Sequence, residues 1–160
     1  VLYVELARSI GLKVEGVGLP GHFIVRHVPT KGEPQLIDPF DGGKALSRAD
    51  AAEKVKSLAG IELGKDHLKP VTKREIIVRM LNNLLNLTRE ERDVEGAMRY
   101  LDAIVAADEN ASRERWMRAL LNAQTGRPAA ARADIDWLLE KAPVGIDLDE
   151  VRRLQRALDR

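Results

Sequence analysis

Apolar residues follow two different spacings along this chain. Between Val14 and Asp38 they form short runs rich in Val, Ile and Phe, broken by Gly and Pro; from Ile76 to Leu158 they recur at three- and four-residue steps. The first pattern is that of β-strands and the second that of helices with one buried face. Strands first and helices afterwards predict an α+β chain rather than a regularly alternating one.

The first part reads as follows. Leu2, Val4, Leu6, Ala7, Ile10 and Leu12 predict a mostly apolar, mainly buried helix that ends at Gly11. Val14–Val17, Phe23–Val28 and Gln35–Asp38 predict three strands, the last two forming an antiparallel hairpin. Leu19-Pro20-Gly21 bends the chain, and Pro29 to Pro34 with Gly32 forms a turn. Ser47 is placed to cap a helix from Arg48 to Ala59, with Gly60 ending it. Residues 60–71 read as a connector. The chain is therefore expected to hold two units, residues 1–69 and 70–160.

The second unit is predicted to be helical throughout. Thr72 with Glu75 is a capping box. Stripes follow at Ile76/Met80/Leu84, Val94/Met98/Leu101/Val105, Trp116/Ala119/Leu120/Ala123 and Ala131/Ile135/Leu138. A last helix carries Leu148, Val151, Leu154 and Leu158 behind Asp147. Asp93-Val-Glu-Gly-Ala97 and Arg127-Pro-Ala-Ala-Ala131 lie 34 residues apart. That period, with small residues at helix crossings, is the tetratricopeptide spacing. Glu109 stands where that repeat usually has Pro. Ala97, Ala119 and Ala131 let helices approach, and Tyr100, Trp116 and Trp137 are read as gap-filling side chains.

Charge and composition exclude several roles. With 26 basic and 25 acidic residues the net charge is +1, and neither part carries an excess. No field favours nucleic acid. No apolar run of about 18 residues predicts a membrane span. There is no Cys, so disulfides, thiolate metal sites and a Cys nucleophile within these residues are excluded. The expected compartment is the reducing cytoplasm. No His-rich spacing predicts a metal site, and no cofactor is expected. Gly16, Gly18 and Gly21 form a Gly-x-Gly-x-x-Gly pattern, but a strand follows it, not a helix, so it is not read as a dinucleotide site. The chain starts Val-Leu-Tyr-Val, without Met and inside a helical pattern, and a natural N-terminal portion is expected to be missing.

The residues that could carry chemistry are His22 and Asp38, expected as cross-strand neighbours. Their pairing admits two readings. In one, Asp38 orients His22 as a general base for an acyl-transfer nucleophile. In the other, the pair is a structural hydrogen bond that fixes the hairpin. Ser9, late in its helix, and Ser47, a cap, are poor nucleophiles. His27 falls on the opposite strand face by parity, and His67 lies in the connector beside Asp66.

Gly18-Leu-Pro-Gly-His-Phe-Ile-Val-Arg26 and Leu36-Ile-Asp-Pro-Phe-Asp-Gly-Gly43, with Leu81-Asn-Asn-Leu84 and Ala123-Gln-Thr-Gly126 behind them, resemble the SirB family. The resemblance covers essentially all 160 residues. It implies a partial papain/transglutaminase-like helix and antiparallel sheet, followed by an all-α tetratricopeptide-like bundle. It also implies that His22 and Asp38 match the family's His and Asp, with the nucleophile position just before Val1. In that family the position is often not Cys, which implies a degenerate site in many members. The leading expectation is a non-catalytic or regulatory module that binds a protein or peptide through its repeats, with no nucleic-acid or membrane partner. The alternative is a Cys- or Ser-dependent acyl transferase or peptidase, with His22 as base, Asp38 as orienter and the nucleophile upstream of Val1. Oligomeric state is left open.

Overall fold

A computed structural model describes residues 1–159; Arg160, the end of the expected second unit, lies outside the described residues. The chain divides into two compact units, Val1–Ile76 and Ile77–Arg160, so the division falls inside a helix. Each unit is described by itself.

In the first unit α1 (Leu2–Ser9) leads into β1 (Val14–Leu19), β2 (His22–His27), β3 (Gln35–Asp38) and β4 (Lys44–Leu46). Then come α2 (Arg48–Ala59), a single 3-10 turn at Asp66–Leu68 and the start of α3 (Lys73–Glu91). The four strands form one antiparallel meander in sequence order. β4 extends the hairpin expected from β2 and β3. The outer edge of β1 is covered by the connector: Val71 donates to Gly16 O at 2.9 Å, and Pro70 bridges Val17. An edge paired in this way does not present open backbone groups.

Alternation along the strands divides the core between the two faces of the sheet. Val17, Leu19, Ile24 and Leu46 pack with Ala51 and Val55 of α2. Val14, Phe23 and Val25 pack on the opposite face with Val4 and Ala7 of α1 and with Val71 and Ile76. α2 is bounded as its sequence predicts. The Ser47 side chain accepts from Asp50 N while Asp50 accepts from Ser47 N, and Gly60 closes the other end.

α1 departs from expectation. It buries only Val4 and Ala7, and Leu2, Leu6 and Ile10 are exposed. A two-turn helix meeting one patch of a sheet covers a narrow stripe, and residues three apart suffice for it. The Gly-x-Gly-x-x-Gly pattern finds a packing explanation at its first position. A Cβ on Gly16 would come within 2.7 Å of the Phe23 ring, so that ring lies where any larger residue would stand.

The second unit holds the rest of α3, then α4 (Val94–Ala107), α5 (Ser112–Gln124), α6 (Pro128–Lys141) and α7 (Leu148–Leu158). Asp93 caps α4 through Gly96 N, and Asp147 caps α7 through Asp149 N and Glu150 N. α6 starts with Pro128, a residue whose missing N–H costs nothing there. Leu85, Ala97, Leu101, Ile104, Val105 and Ala111 form one core cluster, flanked by Tyr100. Ala119, Ile135, Leu138 and Val151 form another, flanked by Trp116 and Trp137. α4 and α6 are both 14 residues long, and Ala97 and Ala131 hold the same place in each.

An ionic cluster joins three of these helices. Asp134 is 1% exposed. It accepts from Arg118 Nε at 2.8 Å and Nη2 at 2.7 Å, and Arg115 Nη1 lies 3.4 Å away. Arg118 also reaches Asp102 at 2.8 Å. The Arg115 guanidinium lies 4.4 Å over the Trp137 ring, a cation–π placement.

Candidate functional site

His22 opens β2, and Asp38 closes β3. Parity places His22 on the face of Ile24, the face that α2 covers. The β2–β3 register pairs Val25 with Ile37. Continued outward, it sets Asp38 opposite Ile24 and leaves His22 diagonal to Asp38. The two are therefore diagonal neighbours rather than the directly opposed pair expected, and a His side chain can span such a gap. His22 Nε2 lies 2.8 Å from Asp38 Oδ2.

The turn after β3 holds Asp38 in place. Pro39 stops the strand, and Phe40 N donates to Asp38 Oδ1 at 2.9 Å. Asp41 N and Gly43 N both donate to the Asp38 carbonyl. Gly42 and Gly43 take φ of 61° and 78°, left-handed values that glycine adopts without strain. Phe40 folds back so that its ring centre is 5.5 Å from that of His22.

Sequence reasoning missed a third member. Lys54 of α2 places Nζ 3.1 Å from Asp38 Oδ2, the same oxygen that meets His22. The signal was present: Ala51 and Val55 form the buried stripe of α2, and Lys54 occupies a position within that stripe, where a lysine needs a partner.

Asp38 is fully buried. Burial pushes its carboxyl up, but hydrogen bonds from His22, Lys54 and the Phe40 N–H outweigh that and hold it below its ordinary value. An ionised carboxylate only accepts hydrogen bonds. The proton between the two groups therefore sits on His22 Nε2, which donates to Asp38. Nδ1 is the ring nitrogen that Asp38 does not engage. The His22 side chain is 18% exposed.

The remaining candidates are placed elsewhere. Ser9 Oγ donates to Leu6 O, and Ser47 is the α2 cap. His27 is half-buried and lies on the other strand face, and His67 Nδ1 accepts from Gly64 N. Among the described residues no three His, Asp or Glu side chains are grouped to hold a metal ion, and no helix is long and apolar enough to cross a membrane. A groove of about 390 Å³ opens beside Lys54, lined by Asp41, Lys44, Asp50, Glu53 and Ser57 among others.

Residues 1–82, just over half of the chain, match the model of the transglutaminase-like superfamily. A UPF0162 protein of Xylella fastidiosa is 32% identical over 157 residues, covering 95% of this chain and 56% of that protein. A UPF0162 protein of Pseudomonas aeruginosa is 30% identical over 138 residues, 85% of this chain and 50% of that protein. Protein SirB1 of Salmonella typhimurium is 26% identical over 139 residues, 86% of this chain and 52% of that protein. The chain thus spans about half the length of the curated relatives it matches. No solved structure matches it.

Proposed function

We propose that this chain, which belongs to the transglutaminase-like superfamily and its SirB-like family, carries the base and orienting half of an acyl-transfer site. The observation that carries this reading is the 2.8 Å contact between His22 Nε2 and a buried, ionised Asp38. Asp38 fixes the ring and its tautomer, so Nδ1 is the nitrogen that accepts a proton. In the reaction a hydroxyl or thiol gives its proton to Nδ1 as its oxygen or sulfur bonds to an acyl carbon. Asp38 keeps the Nε2–H side of the ring oriented throughout, and the same proton passes to the departing amine or alkoxide as the acyl bond breaks. On this reading the hydroxyl or thiol comes from outside the described residues, since Ser9 and Ser47 are engaged elsewhere.

The test uses the full natural protein with two acyl donors: p-nitrophenyl acetate, and a glutamine peptide with a fluorescent primary amine as acceptor. A positioned base contributes about 10²–10⁴-fold. Loss of turnover on that scale in His22→Gln supports the reading. No turnover in the natural protein, or equal turnover in His22→Gln, reduces the pair to a hairpin fastener.

A second reading is favoured by the outer face of α3. Ile77, Met80, Leu84 and Leu87 are all at least 39% exposed at three- and four-residue spacing. On this reading the helical unit has tetratricopeptide-type repeats and binds a protein or peptide segment in the cytoplasm. A peptide selected for binding to the full chain should lose affinity on Leu84→Lys. Unchanged affinity for every selected peptide removes this reading.

A further inference from the structure

His22 and Lys54 share one oxygen of a carboxylate that has no contact with water, at 2.8 and 3.1 Å. That sharing changes what Asp38 offers the imidazole. A buried carboxylate paired with histidine alone draws a second proton onto the ring, because an uncompensated buried charge is costly. Here an ammonium group from α2 already supplies the compensating charge. The backbone N–H of Phe40 satisfies the other oxygen, so Asp38 needs only a neutral donor from His22.

We propose that Lys54 is a positioning residue of this site: by neutralising Asp38 it makes the carboxylate a hydrogen-bond acceptor for His22 rather than its counter-ion, and so preserves the proton-accepting form of the ring. The inference rests on the reading of His22 as a base. Lys54 acts through Asp38 and never meets the acyl group.

The surroundings suit this role. Lys54 is two-thirds covered, so solvent screens its pairing less than at an open surface. Its other charged neighbours in the groove are Asp41 and Lys44 from the β3–β4 turn and strand, and Asp50 and Glu53 on α2. Asp50 is held in the Ser47 cap. From the sheet side, Asp38 is met only by His22 among the ionisable side chains described.

The experiment is an NMR titration of the His22 ring in the full natural protein, unsubstituted and carrying Lys54→Met, Lys54→Arg or Asp38→Asn. Removing a cation about 3 Å from the shared oxygen should raise the pH of the His22 transition by about one pH unit or more, while Lys54→Arg keeps it near the unsubstituted position. Asp38→Asn is the control for the pair itself. A transition that moves in Asp38→Asn and stays put in Lys54→Met overturns the role of Lys54 and leaves the pair standing. A transition that moves in neither overturns the pair, and the base reading with it. If Lys54→Met does not fold, the ring nitrogen signals of the unsubstituted protein decide. A ring that is imidazolium at pH 7 overturns the proposal, and a neutral ring protonated at Nε2 that becomes imidazolium in Lys54→Gln supports it.

Discussion

Phe40 touches both members of the pair. Its ring lies 5.5 Å from the His22 ring, with the planes tilted by 54°, and its backbone N–H holds Asp38 Oδ1. The two functions separate under mutation. Phe40 is 77% exposed, so Phe40→Ala removes little buried area and keeps the backbone donor. The expected cost is about 0.5–1.5 kcal/mol, the worth of a tilted aromatic pair, and the His22 ring signals should broaden as the ring gains freedom. A loss above about 3 kcal/mol in urea unfolding contradicts this description, because it means Phe40 anchors a core.

Asp38 gives stability a pH signature. Its carboxyl is held below the ordinary value in the folded chain, so the unfolded chain takes up its proton first as pH falls. The contribution is complete above the unfolded value, about 3.9, and fades as pH drops through the folded one. Asp38→Asn should cost about 1.5–3 kcal/mol at pH 7, where hydrogen bonds to a charged acceptor are lost. It should also flatten the fall in the unfolding midpoint below about pH 4. An equally steep acid limb in the variant assigns that limb to other carboxylates.

Asp134 is expected to be the most sensitive ionisable residue of the helical unit. Its hydrogen bonds to Arg118 hold that guanidinium above its ordinary value, against the effect of burial. Asp134→Asn leaves Arg118 and Arg115 short of a counter-charge in a covered place, and removing one partner of a buried pair costs about 3–5 kcal/mol. Arg118→Lys should also destabilise, since an ammonium group cannot reproduce the two-pronged contact or reach Asp102 at the same time. Guanidinium-chloride unfolding of the three proteins decides. A neutral Arg118→Lys shows that charge alone, without the fork, holds α4, α5 and α6.

Much of the scaffold was legible because local chemistry sets it. Ser47 and Gly60 bound α2 to the residue, and Thr72 with Glu75 opens α3 by reciprocal bonds. His22 and Asp38 were legible as a pair because the hairpin brings their strands together, although the register made the contact diagonal. β4 was not legible: Lys44-Ala45-Leu46 buries one side chain and exists through its pairing with β3. The exposed side of α1 was hidden because apolar content does not say which residues find a partner. Lys54 and Asp134 share a lesson. Each is a charged residue within an otherwise buried helical stripe, beside Ala51 and Val55 or Ala131 and Ile135. Such a break in periodicity marks a required ion partner, but the partner lies on another element and is visible only in three dimensions.

Ala97 tests the close helix packing of the second unit. It lies in the core cluster with Leu85, Leu101 and Ile104, 9% exposed, at the place in α4 that Ala131 holds in α6. The adjoining Gly96 is tighter still, since a Cβ there would meet the capping carboxylate of Asp93 and the methyl of Thr88. The start of α4 therefore has no slack toward α3. Ala97→Leu adds three carbons to a packed crossing and should destabilise by about 1–3 kcal/mol, with Ala97→Ser close to neutral in volume as the comparison. Thermal unfolding of the two variants separates the cases. A neutral Ala97→Leu means that the packing around α4 can open by the width of a side chain, and the small residue there is then not what sets the approach of its neighbours.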